Sequence, residues 1–417
     1  MLEKLKNFYK IFGPGILMAT AAIGGSHLVS STQSGAIYGY SLAIFILLIN
    51  LFKYPFFRAN VQYTMATKKS LIEGYATLGK TWLYLFTILA VIAAVVNTAA
   101  VSMFAASLLG YFIPIQLTIN LISFIVIFGC LLILIAGKYN LLNDVSKIIM
   151  ISLSISTIVA VIIAVSNGAV KEDDFISPSP WTLASLGFIV ALTGWMPAPI
   201  EISSIGSLWL KRQIKEENIS AKNAMLDFNV GFIATALLAV IFLFLGALVL
   251  HGSAYEFKDG IAFSHQLVSM YTTVIGDWSK YLIAFIAFAC MFGTTITVID
   301  GYGRALAESY SLIKRDSSSS SKEVAFFTLS ISIIGFLIIV YMTSSLRAML
   351  DFAMILSFTT TPVFALLNYM LVKKTNLPKE LKNGVFLNLL SVLGLIFLFG
   401  FLALFIVYRW FPSILGL

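Results

Sequence analysis

The chain has 417 residues, of which 59% are hydrophobic and only 11% are charged, and its mean hydropathy is +0.95. Soluble domains carry about a quarter charged residues, so this composition excludes a soluble protein and indicates an integral membrane protein. The net charge of +8 does not indicate nucleic-acid binding, because the lysines and arginines fall in short loops between apolar segments. The two cysteines lie inside apolar segments, which excludes a disulfide framework, and no motif indicates a cofactor.

Windows of about 20 apolar residues predict eleven membrane spans within a single transmembrane domain that covers residues 1–417. The basic segment before the first span is not followed by a small-residue cleavage site, so we interpret it as the flank of a retained span. In chain order, the predicted spans are 13–40, 41–66, 82–110, 115–136, 145–166, 182–210, 226–250, 280–303, 323–343, 348–372 and 385–408.

Lysine and arginine residues are distributed unevenly between the two sets of loops. They precede span one, at residues 4–10, and follow spans two, four, six, eight and ten, all on one side. This bias predicts a cytoplasmic N-terminus in a plasma (inner) membrane. The opposite loops are poorer in cations, as at 171–174. The longest of them, 251–279, is expected to hold His251 and His265 in solvent.

The first span is interrupted at its middle by Ile23-Gly24-Gly25-Ser26-His27. Lipid cannot satisfy free backbone groups, so a break at this depth is tolerated only beside protein or a hydrated cavity. An unwound helix at mid-membrane is typical of a transport site. The alternative is a glycine-softened kink in an ordinary spanning helix.

The sixth span is interrupted in a similar way by the run Thr-Gly-Trp-Met-Pro-Ala-Pro at residues 193–199. Each proline removes a helix hydrogen bond and clashes with the preceding turn. Breaks in the first and sixth of ten spans predict an inverted repeat of five plus five spans, in which each half supplies one broken helix to a central site. The predicted halves are residues 13–166 and 182–372, with an extra helix at 385–408.

The backbone of the first break offers two kinds of binding site. Gly24 and Gly25 let a ligand approach the chain closely. The N–H groups from Ser26 onward begin a half-helix and suit an anion, whereas the carbonyl groups near Ala22 and Ile23 suit a cation. The backbone alone therefore leaves the charge of the substrate open.

Two side chains at the breaks are candidate ligands. His27 could ligate a metal, donate a hydrogen bond or carry a proton, or it could only hold the break in place. Met196 offers a soft sulfur atom that selects transition metals, although methionine also fills gaps in apolar packing. Both side chains are therefore candidates for a metal site.

Polar side chains elsewhere in the spans indicate a pathway and an ion site. Glu201 is a pathway candidate, because a carboxylate in the hydrocarbon region costs about 2.5–3.5 kcal/mol; partnership with Lys53 or Arg58 is the structural alternative. Gln33 in the first span is the other pathway candidate. Hydroxyl groups of span eight could hold a coupling ion, or could only bond to their own helix. These hydroxyl groups belong to Thr294, Thr295 and Thr297.

Three segments together resemble the NRAMP family of divalent-metal transporters. Residues 13–40 are similar to that family's first span, Met196-Pro197 to its Met-Pro-His motif, and residues 293–297 to the start of its span-eight signature. The resemblance covers most of the chain. It implies the LeuT-like fold of the APC superfamily, which is an all-α membrane fold with a 5+5 inverted repeat and broken first and sixth helices. It also implies uptake of Mn²⁺ or Fe²⁺ coupled to protons.

By that resemblance, the two breaks together form the substrate site, with His27 and Met196 as metal ligands. The implied substrate-binding residues are Gly24, Gly25, Ser26, His27, Thr193, Trp195, Met196 and Pro197.

The chain departs from the family where the metal would bind. Residues 24–27 replace the family's Asp-Pro-Gly-Asn motif, so both side-chain oxygen ligands are absent, and Ala198 replaces its histidine. Ala94 and Asn97 stand where the family has an acidic pair used in proton release. Glu201 stands where the family tends to have a bulky residue.

Two hypotheses follow, and both describe a secondary transporter. The first is ion-coupled import of a divalent metal of the Mn/Fe class through an altered site. The second is Na⁺- or H⁺-coupled symport of a small carboxylated or anionic solute, with the N–H groups of residues 24–27 holding the anion and Trp195 as an apolar wall. Enzyme activity is not expected, because no nucleophile–base set or carboxylate pair lies at one depth. A passive channel is disfavoured by the broken helices.

Overall fold

The computed structural model describes residues 13–136, 139–170, 175–216, 219–253, 258–316, 319–341 and 345–415. The charge predictions that rest on residues 4–10 and on the loop 171–174 lie outside this part of the chain. Within it, the protein forms fifteen α-helices and no β-strand, so the predicted all-α class is confirmed.

The helices are labelled here in chain order. The first seven are α1 (Pro14–Ala22), α2 (Thr32–Tyr38), α3 (Ala43–Thr67), α4 (Leu71–Leu78), α5 (Lys80–Gly110), α6 (Ile119–Ile135) and α7 (Tyr139–Asn167). The others are α8 (Leu186–Trp195), α9 (Ile202–Glu216), α10 (Ala221–Val249), α11 (Ile261–Ile275), α12 (Lys280–Lys314), α13 (Ser321–Tyr341), α14 (Leu346–Lys374) and α15 (Val385–Trp410). A π-helical segment, Ser26–Ser31, leads into α2, and 3₁₀ turns lie at Leu183–Ser185, Asp277–Ser279 and Pro412–Leu415.

Eight of the described helices are long and apolar enough to cross a membrane, namely α3, α5, α7, α10, α12, α13, α14 and α15. A further apolar helix, α6, has 17 residues. The two remaining predicted spans, the first and the sixth, are each divided into two shorter helices. The chain is therefore an integral multi-pass membrane protein, as its composition predicted.

Both interruptions lie where the sequence predicted them. In the first span, α1 ends at Ala22 and the helix resumes at Ser26. In the sixth, α8 ends at Trp195 and α9 starts only at Ile202. The two prolines between α8 and α9 carry no N–H group, so they cannot continue the hydrogen-bond ladder of α8. The break of span one and the break of span six lie against each other inside the bundle.

The second half of span one crosses α10 at very short range because each helix has a glycine at the contact. A Cβ atom added to Gly35 would lie 1.9 Å from the carbonyl oxygen of Leu243, and one added to Gly246 would lie 2.1 Å from that of Thr32. No side chain tolerates such distances, so both positions require glycine. This contact fixes span one against span seven.

The segment 251–279 differs from the predicted solvent loop, because it contains α11 and a buried histidine. The ring of His251 donates from Nδ1 to the carbonyl oxygen of Ala36 at 3.1 Å, and its Nε2 lies 2.7 Å from the hydroxyl of Ser177. His265 is exposed, as predicted, and stacks on Tyr111. The prediction was wrong for His251, since the C-terminal end of span one provides a buried acceptor for its ring.

Candidate functional site

A cavity lies between the two breaks. Its volume is about 40 Å³, so the cavity is narrow in this conformation. Its lining extends along α12 from Thr294 to Tyr302, about two helical turns. Polar lining groups come from four spans and belong to Ser26, Asn97, Trp195, Thr294 and Tyr302. Most of the other lining residues are alanine, valine, proline and isoleucine.

The structure brings only part of the predicted substrate set to this cavity. Those that line it are Gly25, Ser26, Trp195 and Pro197, together with Thr294 from the predicted ion set. Those that do not line it are Gly24, His27, Thr193, Met196, Thr295 and Thr297.

Lys53 of α3 satisfies the carbonyl groups that the break in span six leaves without helix partners. Its fully buried Nζ donates to the carbonyl oxygens of Thr193 at 2.6 Å, Gly194 at 3.1 Å and Ala198 at 3.2 Å. A positive charge at the C-terminal end of α8 also complements the helix dipole. The carbonyl end of this half-helix is therefore already occupied by a cation of the protein itself.

The carbonyl end of the first half-helix, α1, is occupied as well. The hydroxyl of Ser26 donates to the carbonyl oxygen of Ala22 and also lies 3.2 Å from that of Pro197. Nδ1 of His27 lies 3.1 Å from the same Ala22 oxygen, and the Cys290 thiol lies 3.8 Å from the Ile23 oxygen. The carbonyl groups that the sequence suggested for a cation thus face donors of the protein.

The N–H groups at the start of the second half-helix of span one lie beside the cavity. Those at the start of α9 already bond to carbonyl groups of the break, as Ile202 N–H does to Pro199 at 3.1 Å. The first backbone bond of the resumed helix in span one runs from Leu28 N–H to Gly24 at 3.1 Å. The preceding N–H groups of Gly25 and Ser26 belong to a helix start, which leaves such donors without helix partners, and both residues line the cavity. The N-terminal end of a helix carries partial positive charge and suits an anion.

The two predicted metal ligands lie apart from the cavity. Both ring nitrogens of the fully buried His27 are engaged: Nε2 donates to the Thr235 carbonyl oxygen at 2.9 Å, and Nδ1 lies 2.7 Å from Ser26 Oγ. Met196 is buried in an apolar cluster with residues of α3 and α10, such as Ile46 and Leu243. Among the described residues, no group of three or more His, Cys, Asp or Glu side chains is placed to hold a metal ion.

The threonines of α12 bond mainly to their own helix. Thr294 donates to the Cys290 carbonyl oxygen at 3.0 Å, Thr295 to that of Met291 at 2.8 Å and Thr297 to that of Gly293 at 2.8 Å. Thr295 also contacts the Val101 carbonyl oxygen of α5 at 3.3 Å. Of the three, Thr294 is the one that reaches the first break, where a Cβ atom on Gly24 would lie 2.7 Å from its hydroxyl.

A chain of hydrogen bonds runs from the cavity wall to Glu201. Trp195 Nε1 donates to Asn97 Oδ1 at 3.2 Å, and Asn97 Nδ2 donates to the Tyr302 hydroxyl at 3.1 Å. Tyr302 in turn donates to Glu201 Oε1 at 3.1 Å. Among the described residues, no ion pair joins Glu201 to Lys53 or Arg58. The structural alternative of a direct salt bridge with span two is therefore not observed.

Gln33, the other predicted pathway residue, borders a second and smaller cavity beyond the break. This cavity lies between the resumed helix of span one and α11, where Phe263 and Gln266 face Gln33. Gln33 therefore borders this second cavity, whereas Glu201 is linked to the central cavity through Tyr302.

Sequence reasoning missed Tyr302 and gave Lys53 only as a possible partner of Glu201. A signal for each is present in the chain. Tyr302 follows Thr294 by eight residues and so lies on the same face of α12 two turns later. Lys53 is a lysine inside an apolar span, which is expensive unless the charge has polar partners. Their partners lie in other spans and could not be assigned from spacing alone.

Comparisons with known proteins agree with this architecture. A family model described as natural resistance-associated macrophage protein-like (Nramp) matches residues 15–408. The chain is 50% identical over 404 residues to an uncharacterized protein of Pasteurella multocida (strain Pm70), covering 95% of this chain and 92% of that protein. Its fold is similar to a mutant of the Eremococcus coleocola manganese transporter, with a TM-score of 0.73 and 16% identity over 94% of this chain and 85% of that one. It is also similar to MhsT in complex with L-phenylalanine, with a TM-score of 0.61 and 15% identity over 93% and 98% of the two chains.

Two broken helices that meet at a central cavity inside a bundle of membrane-spanning helices define a membrane transporter with the LeuT-like fold. The chain belongs to the Nramp family, whose model matches nearly its whole length. The fold and the family predicted from the sequence are both confirmed.

Proposed function

We propose that this transporter carries a small solute with a carboxylate or similar anionic group, by alternating access around the central cavity. The observation that carries the proposal is the polarity of the two breaks. Their carbonyl ends, which would attract a cation, already accept hydrogen bonds from Lys53 and Ser26. The N–H end of the first break borders the cavity, and the buried Lys53 adds positive charge nearby. Both features favour an anion over a bare dication.

The walls of the cavity suit the organic part of such a solute. Trp195 closes against the first break, where a Cβ atom on Gly25 would lie 2.4 Å from its ring. The amide of Asn97 and the hydroxyl of Tyr302 provide polar contacts, and the remaining wall is mostly apolar. A few placed polar groups on an apolar wall are typical of sites for small organic ligands.

We further propose that transport is coupled to H⁺ or Na⁺ and that Gln33 and Glu201 lie on the path on either side of the site. The position of Gln33 in the second cavity and of Glu201 behind Tyr302 supports this path. Thr294 is the member of the predicted ion set that lies at the break, so a Na⁺ site would depend on its hydroxyl.

Import of a divalent metal is the second candidate, and family membership is the observation that favours it. One structural neighbour is a manganese transporter. In this chain, metal binding would require His27 to leave the Thr235 carbonyl and the Ser26 hydroxyl, and Met196 to leave an apolar cluster. The two candidates therefore make opposite predictions for these side chains.

Uptake into proteoliposomes distinguishes the two functions. The probes are radioactive acetate, lactate, succinate and alanine for the first function and Mn²⁺ for the second. Each is tested under an inward H⁺ gradient, an inward Na⁺ gradient or neither. Carboxylate uptake that requires one gradient supports the proposal and identifies the coupling ion. Mn²⁺ uptake without carboxylate uptake overturns it in favour of the second candidate. If transport does not depend on the Na⁺ gradient, Thr294 is not a ligand of the coupling ion.

The Met196→Leu variant gives a residue-level test of the same question. Leucine keeps the volume of the buried side chain, and such exchanges cost less than about 1.5 kcal/mol. We expect carboxylate uptake to change by less than about twofold, or about 0.4 kcal/mol, because the side chain lies outside the cavity. A metal site built on this sulfur would lose at least about tenfold in affinity. The matched control is Met103→Leu in α5, which is equally buried.

A further inference from the structure

Glu201 is a buried carboxyl group whose hydrogen bonding is incomplete. Its side chain is 2% exposed and lies in the turn that precedes α9. Oε1 accepts the hydrogen bond from Tyr302, whereas Oε2 is buried without a hydrogen-bond partner in the described part of the chain. A carboxylate accepts through both oxygens, and a protonated carboxyl group gains a donor. The Glu201 carboxyl group can therefore change its hydrogen bonds when it gains or loses a proton.

Lys53 is the charge that balances this carboxylate. It interacts electrostatically with Glu201, and its three hydrogen bonds all go to carbonyl oxygens. An ammonium group has three donors and no acceptor, so three carbonyl acceptors match the charged form. With Glu201 ionised, the pair is neutral overall; with Glu201 protonated, one positive charge remains without a counter-charge.

Apart from the backbone N–H of Glu201 itself, the described helices packed against α9 leave its carboxyl group with these two partners. α1 carries no titratable side chain. The remaining charged groups nearby on α3, α4 and α12 are engaged elsewhere: Arg58 with Tyr54, Glu73 with Lys211, and Asp300 with Arg304.

We propose that Glu201 is the site of the coupling proton and that Tyr302 links its protonation to anion binding. The inference rests on the proposed function as an anion carrier. In the ionised state, the Tyr302 hydroxyl donates to Glu201 and is not available to a substrate. When a proton from the water on one side binds Glu201, its carboxyl O–H donates to the Tyr302 oxygen instead. The phenol proton then turns into the cavity, which Tyr302 lines, and donates to an anionic oxygen of the substrate.

Charge balance acts in the same direction as this exchange of hydrogen bonds. Protonation of Glu201 leaves the positive charge of Lys53 uncompensated, and a bound carboxylate restores neutrality. On the other side of the membrane the anion leaves, Tyr302 turns back, and Glu201 gives its proton to water. One proton therefore accompanies each anionic group, and no bond other than O–H is made or broken.

The Glu201→Gln variant separates coupling from binding, because glutamine keeps the shape of the protonated side chain and cannot exchange a proton. The probe is the carboxylate that the wild type takes up from the panel described above. We expect loss of proton-driven accumulation, with exchange of labelled for unlabelled carboxylate across the membrane retained. The matched control is Glu216→Gln at the exposed end of α9, which should accumulate the solute as the wild type does.

Tyr302→Phe tests the link itself. It removes the hydroxyl and leaves Glu201 and Lys53 in place, so we expect weakened carboxylate binding that depends less steeply on pH than in the wild type. An infrared titration of purified protein provides a readout that needs no substrate. The band of protonated carboxyl groups should grow as the pH falls in all three proteins, and the difference between the wild type and Glu201→Gln should isolate a component from Glu201 that Tyr302→Phe retains.

The outcomes distinguish this inference from the proposed function. If the wild type takes up no carboxylate, the proposed function is wrong. Proton-driven accumulation that survives in Glu201→Gln overturns the inference while leaving the function intact. A titration without a Glu201-dependent band also overturns it, whatever the substrate.

Discussion

Two adjacent glycines determine what fits at the first break. A Cβ atom on Gly25 would lie 2.4 Å from the ring of Trp195, and one on Gly24 would lie 2.7 Å from the Thr294 hydroxyl. An indole of span six and a hydroxyl of span eight therefore occupy the space that side chains at these two positions would need.

We expect Gly25→Ala to impair transport, because its added methyl group meets the Trp195 ring. Overpacking of this kind costs about 1–3 kcal/mol, so uptake should fall together with the thermal stability of the purified protein. The matched control is Gly187→Ala in α8, where a Cβ atom meets nothing within 4 Å. That variant should retain uptake and gain up to about 1 kcal/mol, since alanine is the better helix former. Wild-type uptake by Gly25→Ala would contradict the close contact described here.

Each broken helix depends on a cap from a distant span. Asp227 of α10 accepts from the N–H groups of Gly15 at 2.7 Å and Ile16 at 3.2 Å, at the start of α1. Lys53 of α3 holds the carbonyl end of α8. Both charges have the sign that the helix dipole favours at that end. The sequence predicted where the helices break, but not what completes them, because the partners lie 140 and 212 residues away.

Lys53→Met should be among the most destabilising single changes in the chain. Methionine keeps the apolar stem but leaves the carbonyl groups of Thr193 and Gly194 buried without a donor, at a cost of about 1–3 kcal/mol each. We expect the free energy of unfolding to fall by about 3 kcal/mol, measured by thermal or denaturant unfolding in detergent. Lys222→Met, on the exposed face of α10, is the matched control and should change it by less than about 0.5 kcal/mol. Equal stability of the two variants would exclude the capping role.

A charged network ties three helices together at one end of the bundle. Lys211 of α9 contacts Glu73 of α4 at 2.7 Å and Glu308 of α12 at 3.1 Å. Burial opposes the charge of Glu73, but hydrogen bonds from Lys211 and Ser70 outweigh it, so the pKa of Glu73 lies below its usual value. Burial also opposes the charge of Lys211, but its two carboxylate partners outweigh it and raise its pKa. The network therefore favours the ionised form of both groups.

The pH dependence of this network follows from these directions. The contribution of Glu73 is complete above its unfolded pKa of about 4.5 and is lost as the pH falls through its lower folded pKa. The contribution of Lys211 is complete below about 10.5 and is lost as the pH rises through its higher folded pKa. Lys211→Met should lower the free energy of unfolding at neutral pH by about 1 kcal/mol, because the pair is partly exposed. When the pH is lowered, the melting temperature of Lys211→Met should also fall less than that of the wild type. The control is Arg212→Met, which removes the exposed ion pair with Glu216.

At the scale of the whole molecule, the sequence predicted those features that depend on local residues or on a periodic pattern. Apolar windows gave the spans, and Gly24-Gly25 and the prolines of span six gave the breaks. The direction of side chains was not predictable, because it depends on which helices pack together. Thus Met196 points into an apolar cluster with α3, and Tyr302 and Asn97 come together from different spans. A buried network of this kind requires three-dimensional neighbours that spacing does not specify.

The cap on α1 has a consequence for biosynthesis. A nascent chain that has inserted its first six spans already contains Lys53 and all three of its carbonyl acceptors. It does not yet contain Asp227, which Gly15 needs, or the Thr235 carbonyl that receives His27. The first span to leave the ribosome is therefore completed only after the seventh has entered the membrane. Until then α1 lacks its Asp227 cap and His27 lacks its Thr235 acceptor, so the insertion machinery or the lipid headgroups must satisfy these polar groups.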